Sequence, residues 1–179
     1  MKKAIVYSES PRAMAVFSDI LKEEGFEEVE LNDRIAFCGV DNEASVQLIN
    51  TGMSFDLAAK LAEKLIETTG SAVVLLAEQG KQPERCRALR EAGALIVEKP
   101  LSKQLFVQSI RDAISLHGRI RKMAALLNET RRIDRAKLLL VEARGMTEPE
   151  AHKFIERQAM NRRVTRLEIA NELINTIRQ

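Results

Sequence analysis

Cysteine, histidine and aromatic residues are all scarce in this 179-residue chain. Two cysteines, Cys38 and Cys86, without CxxC spacing, and only two histidines supply neither a disulfide framework nor a structural zinc site. The thiols read as reduced. No apolar run approaches the roughly 18–20 residues that a membrane span needs. Only four apolar residues, Ala4–Tyr7, follow Met1-Lys2-Lys3 before Ser8 and Glu9, too few for the apolar segment of a signal peptide. A cytoplasmic protein with no membrane association is therefore expected. Paired carboxylates, a nucleophile–base set and a phosphate-cradling glycine loop are also missing, so neither an enzyme nor a bound cofactor is expected. With 45% hydrophobic and 30% charged residues, the composition excludes a disordered tail or a fibrous repeat.

What is present is unevenly distributed. The net charge of +2 combines a balance of −4 over residues 1–104 with +6 over residues 105–179, where 15 Lys/Arg face 9 Asp/Glu. A basic carboxy-terminal part attached to an acidic one is a common arrangement for a polyanion-binding module. Salt bridging on a solvated helical surface would use the same residues.

Patterning also divides the chain. Ala4–Tyr7 and Val73–Leu76 are short apolar runs suited to buried parallel strands, and Val29–Leu31, Val46–Ile49 and Leu95–Val97 read as three further strands. Helical patterns fall between them. One begins at Pro11, with Met14, Phe17, Ile20 and Leu21 on one face, and ends at Gly25. Another covers residues 56–68, with Leu57, Leu61, Leu65 and Ile66 at helical spacing, and a third begins at Pro83 and stops at Gly93. The alternation predicts a parallel sheet covered on both faces. Residues 32–45 give no convincing helix, and Ile35-Ala36-Phe37-Cys38 suits an extra strand.

From residue 102 to 144 there is no proline and one glycine, Gly118. Ala113, Leu116, Ile120, Met123 and Leu127 step by three and four, a narrow coiled-coil seam that predicts a dimer. Gly145 ends this helix. Thr147 with Glu150, and Thr165 with Glu168, are capping boxes that open two further helices. Ala151, Phe154, Ile155 and Ala159 form the buried face of the first; Leu167, Ala170, Leu173, Ile174 and Ile177 form that of the second.

Val97-Glu98-Lys99-Pro100 resembles the end of strand five in response-regulator receiver domains, where the Lys-Pro bond is commonly cis and the ammonium contacts a phosphorylated aspartate. By strand order, the resemblance places the phosphoacceptor at Asn50, the hydroxyl residue of strand four at Ala77, and the magnesium-holding acidic pair at Ser8 and Glu9. Only Lys99 keeps its type. An amide has no carboxylate oxygen with which to attack an acyl phosphate, and Glu9 alone gives a hard cation too few anionic ligands. Lys99 is expected to pair with Glu9 or to hydrogen-bond Asn50. Asp41 and Asp56 are the alternative acceptors, but neither directly ends an apolar strand. The domain reads as a pseudo-receiver without phosphotransfer.

The stretch from Ile133-Asp-Arg-Ala-Lys to Arg162-Arg163, continuing through Ile169-Ala170-Asn-Glu-Leu173-Ile174, resembles the ANTAR domain of bacterial transcription antitermination regulators. Ala136 and Lys137, Gly145, Glu150-Ala151, Arg157-Gln158-Ala159-Met160 and Ala170 carry the match, which covers roughly residues 131–175. The whole order resembles antiterminators of the amidase-regulator type. The implied architecture is an α/β receiver-like (flavodoxin-like) domain with a parallel five-stranded sheet over residues 1–104. A coiled-coil helix over 105–130 and an all-α three-helix ANTAR unit over 131–179 follow it.

The resemblance implies binding to leader-RNA hairpins, which prevents an overlapping terminator from forming. The residues also suit this independently. Lys153 and Arg157 lie one helical turn apart, and Arg162, Arg163 and Arg166 crowd the start of the last helix, whose free N–H groups favour phosphate. With Lys137 they form the expected RNA-binding set. Phe154, the only aromatic residue of this unit, is expected in the core, and His152 on the surface. A regulatory partner protein or ligand is expected at the pseudo-receiver. Two rivals stay open: a DNA-binding regulator using residues 165–174 in a helix-turn-helix, and a dimer that only binds proteins.

Overall fold

The computed structural model describes residues 2–33, 44–52, 54–80 and 82–177. The expected extra strand at Ile35–Cys38, and Asp41, lie outside the described residues. Five strands are present: β1 (Lys3–Tyr7), β2 (Glu28–Asn32), β3 (Val46–Asn50), β4 (Ala72–Glu78) and β5 (Leu95–Lys99). They form one parallel sheet in the order β2-β1-β3-β4-β5. The connecting helices are α1 (Pro11–Glu23), α2 (Phe55–Thr68) and α3 (Pro83–Ala92). Three helices follow: α4 (Lys103–Arg144), α5 (Glu148–Arg162) and α6 (Arg166–Ile177).

The period-two alternation of the strands creates two cores. Ile5, Tyr7, Ile49, Val73 and Leu75 point to one face, where α2 and α3 pack through Ala58, Ala59, Ala62, Leu65 and Leu89. Ala4, Val6, Val46, Leu48, Val74 and Leu76 point to the other, where Ile20 and Leu21 of α1 meet Phe106, Ile110 and Ala113 of α4. Burial on both faces explains why β1 and β4 read as nearly unbroken apolar runs. Gln47 is a fully buried polar side chain, whose amide oxygen accepts from the Tyr7 hydroxyl (2.8 Å) and whose amide nitrogen donates to Ser71 Oγ (3.2 Å).

Three local expectations are corrected. Leu57 is exposed, because the buried face of α2 is completed by Phe55, Ala58 and Ala62, about 100–160° round the helix from it. Ala113 lies in the sheet's core rather than in a coiled-coil seam. Ile169, not Leu167, joins Ala170 and Ile174 as a fully buried residue of α6.

The chain divides into two compact units, Met1–Gly118 and Arg119–Gln179. The first turns of α4 thus pack with the sheet, and the division falls later than residue 104. In the second unit Ala136 and Leu140 of α4, Ala151, Ile155 and Ala159 of α5, and Ile169, Ala170 and Ile174 of α6 form the core. Four of these eight are alanines, so the helices approach closely. Gly145 takes φ +64 after α4, the left-handed C-cap conformation that a glycine adopts without a Cβ penalty. Both capping boxes form. Glu150 Oε2 accepts from the Thr147 N–H and hydroxyl, each at 2.8 Å, and Glu168 does the same at Thr165 at 2.7 and 2.9 Å. These bonds, the backbone one foremost, hold both carboxyls below the ordinary glutamate range.

Leu116, Ile120, Met123 and Leu127 of α4 are each more than half exposed. Among the described residues no helix is long and apolar enough to cross a membrane.

Candidate functional sites

Two sites follow from the fold. The first is the carboxyl edge of the parallel sheet, where the strand ends converge and doubly wound folds bind their ligands. Ser8 follows β1, Asn50 ends β3, Ala77 is the penultimate residue of β4, and Lys99 ends β5. Asn50 is buried, and its amide donates to Ser8 Oγ at 2.9 Å. Ala77 is buried and brings no hydroxyl. Lys99 pairs with neither Glu9 nor Asn50. Its ammonium donates to the carbonyl of Thr51 (2.7 Å) and to Glu78 Oε1 (3.1 Å). The reason is reach: Glu78 faces Lys99 directly in the β4–β5 register. Glu9 keeps one buried carboxylate oxygen without a hydrogen bond. Asp56 sits in the first turn of α2, paired with Arg85, and not at a strand end. The Lys99-Pro100 bond is cis. Among the described residues no group of three or more His, Cys, Asp or Glu side chains is placed to hold a metal ion.

Treatment with a small-molecule phosphodonor is accordingly expected to leave no phosphate on the protein. Asn50→Asp alone is expected to leave it nearly as unreactive, because neither a second acid beside Glu9 nor a hydroxyl at position 77 is restored. Intact-mass spectrometry after acetyl phosphate and magnesium treatment reads both; stoichiometric addition of one phosphate to the parent chain would contradict the assignment.

The second site lies in the helical unit. Arg144, Gly145, Lys153, Phe154, Arg157, Met160 and Asn161 are among the residues lining an open groove of about 760 Å³ between the end of α4 and the flank of α5. Lys153 and Arg157 project from consecutive turns of α5 and are exposed. Neither has an acidic partner among the described residues. The Arg144 guanidinium lies over the Phe154 ring, 5.3 Å from its centroid, which fixes a third cation at the rim. Met160 is 79% exposed beside them. Two carboxylates also line the groove, but both are occupied: Glu150 by its cap, Glu156 by His152 (3.3 Å) and Arg166 (3.6 Å).

The six expected cations therefore separate. Lys137 is bound to Asp134 and Glu148, each at 2.8 Å, which raises its pKa. Arg162 forms a two-point pair with Glu172 (2.5 and 2.8 Å), which raises its pKa in turn. Arg166 reaches Glu156. Lys153, Arg157 and Arg163 have no acidic partner among the described residues. Arg163 is also held at φ +53 as the C-cap of α5, a left-handed conformation that costs a non-glycine residue about 1 kcal/mol.

Arg144, Met160 and Asn161 also line the groove and stand outside the set of RNA-binding residues expected from the sequence. A Gly145 cap just after an arginine was the available signal for the first. Phe154 is half-buried rather than fully in the core, because its outer face carries Arg144.

Comparison with known proteins agrees with both units. Residues 121–174 match the model of the ANTAR domain, starting ten residues earlier than the sequence resemblance. The first unit has the fold of receiver domains. It superimposes on a response regulator receiver domain protein from Clostridium thermocellum (TM-score 0.55, 18% identity, 67% of this chain and 99% of that one). It superimposes likewise on a CheY-like one from Methanospirillum hungatei JF-1 (TM-score 0.58, 18% identity, 66% and 98%). The chain is an ANTAR-domain protein with a receiver-like amino-terminal domain. Among curated proteins it is 32% identical over 130 residues to the Transcriptional regulatory protein PdtaR of Mycobacterium tuberculosis, in strains CDC 1551 / Oshkosh and H37Rv. The match takes in 68% of this chain and 61% of those relatives' length.

Proposed function

We propose that this chain is a transcription antitermination regulator that binds leader-RNA hairpins through its ANTAR unit and so keeps an overlapping terminator from forming. The observation that carries the reading is the groove of α4 and α5, where Arg144, Lys153 and Arg157 stand without a bound carboxylate of their own. Phosphates attract such cations whatever the sequence, while unpaired loop bases meet guanidinium planes and apolar edges such as Met160. Arg163 adds a fourth free cation at the end of α5. The helix-turn-helix rival is disfavoured by α6 itself. Its exposed side carries Glu168 and Glu172 against the single Arg166, a poor charge for a helix seated in a major groove.

The receiver-like domain acts without phosphorylation, since Asn50 replaces a carboxylate and hydrogen-bonds Ser8. Control then falls to a partner protein or ligand. A cavity of about 380 Å³ lined by Leu21, Phe26, Phe106 and Ile110 gives a small ligand room in the first unit. The domain carries no catalysis of its own.

The uncovered Leu116, Ile120, Met123 and Leu127 support a homodimer through α4. Ile120→Asp/Leu127→Asp is expected to convert dimers to monomers at micromolar concentration in sedimentation velocity. A parent protein that is monomeric at the same concentration would remove the dimer from the scheme.

The function is tested by titrating the protein, at several fixed salt concentrations, with three nucleic acids. These are a leader RNA with two small-loop hairpins, the same RNA with scrambled loops, and duplex DNA. Loop-dependent binding to RNA is expected. Preference for the duplex would favour a DNA-binding regulator, and equally weak, salt-erased binding to all three would favour a protein-only partner.

A further inference from the structure

A second cluster of arginines shares no residue with the groove. Asn128, Arg131, Arg132 and Arg135 of α4 and Ile174 of α6 line an open depression of about 380 Å³. All three arginines are exposed, and none has a carboxylate partner among the described residues. Arg132 is instead oriented by α6, donating from Nη1 to Asn171 Oδ1 at 3.2 Å. The surrounding segment, residues 119–135, has six Lys/Arg and two Asp/Glu, and one of those acids, Asp134, is bound to Lys137.

Like charges one turn apart at positions 131 and 135 disfavour a helix. Among the described residues no carboxylate pairs with either of them, whereas Arg162 and Lys137 nearby in the same unit are each matched by a glutamate. A polyanion supplies the missing counter-charge, and the guanidinium fork fits phosphate oxygens in pairs. The depression offers no aromatic face and no exposed apolar side chain for a base, since its only apolar residue, Ile174, is buried.

We infer that Arg131, Arg132 and Arg135 form a second RNA contact, which grips the phosphate backbone of a hairpin's paired stem and does not read its loop. The inference rests on the antitermination reading above. It divides the labour within one unit: the α4–α5 groove meets the loop, and the α4–α6 arginines meet the stem.

The test is fluorescence anisotropy on the full chain with the two-hairpin leader RNA and its scrambled-loop version, across a salt series. Arg131→Gln/Arg135→Gln is expected to weaken binding to both RNAs by the same factor, about 100-fold, and to lower the slope of log affinity against log salt by about 2, one for each lost phosphate contact. Arg131→Lys/Arg135→Lys is expected to restore most of the slope, and unchanged far-UV circular dichroism shows that the helices persist. Unchanged affinity and slope in the glutamine variant would overturn the inference and leave the arginines to an acidic protein partner. A loss confined to the native loops would also overturn it. Lys153→Gln/Arg157→Gln, run in parallel, is expected to abolish discrimination between the two RNAs. If the parent chain discriminates loops and the Arg131/Arg135 variant matches it, this inference alone falls. If the parent chain binds neither RNA, the antitermination reading falls with it.

Discussion

Reversing both charges in Lys153→Glu/Arg157→Glu is expected to weaken binding to a loop-bearing leader hairpin by about 100-fold or more while leaving the fold intact. The size follows from what is removed. Each charge-assisted hydrogen bond to phosphate contributes about 1.5–3 kcal/mol, and two of them correspond to at least two decades of affinity, before the repulsion of two new carboxylates is counted. The fold is expected to survive because both side chains are exposed and hold no carboxylate. Arg162 is the wrong residue for the same experiment. Its reversal would set a glutamate against Glu172, its present partner, and separate α5 from α6 by repulsion, so lost binding would report damage instead of contact. Filter binding at three salt concentrations, with far-UV circular dichroism on the same samples, reads the outcome. Full retention of RNA binding by the folded variant would remove the α4–α5 groove from the interface.

Leu140→Ala is expected to unfold the helical unit at or near physiological temperature, whereas Leu138→Ala, two residues away on the same helix, is expected to change little. Leu140 is fully buried among Ala136, Ala151 and Ile155, while Leu138 is 61% exposed. Truncating a buried leucine costs about 2–5 kcal/mol through lost transfer energy and the cavity left behind. A unit of this size has a total stability of only about 3–9 kcal/mol, so the loss is a large part of the whole. Its other core residues are mostly alanines, which cannot move in to fill the space. Thermal denaturation followed by circular dichroism is expected to show an early transition for the helical unit and an unshifted one for the sheet. Equal melting curves for the two variants would mean that α4 does not pack on α5 and α6 through this face.

Most of the fold was legible in the sequence because the signals that define it are local. The apolar runs of β1 and β4 announce strands buried on both faces, and Pro11, Pro83 and the two Thr–Glu capping boxes mark helix starts by chemistry that acts within four residues. Gly145 marks the end of α4 in the same way. The meeting of Ser8, Asn50, Ala77 and Lys99 at one edge of the sheet was legible too, since strand order alone brings them there.

The tertiary structure decided whatever depends on partners distant in sequence. Lys99 goes to Thr51 and Glu78 because the β4–β5 register sets Glu78 opposite it. Arg162 is neutralised by Glu172 and Lys137 by Glu148, pairs ten and eleven residues apart that meet only once α4, α5 and α6 have packed. The same packing leaves Lys153, Arg157 and Arg163 without an acid, and stacks Arg144 on Phe154. Composition fixes how many cations this half of the chain has. Which of them remain free to meet a polyanion is settled by the close approach of three helices across an alanine-rich core, since an ion pair needs two side chains within about 4 Å and periodicity along one helix says nothing of its neighbour.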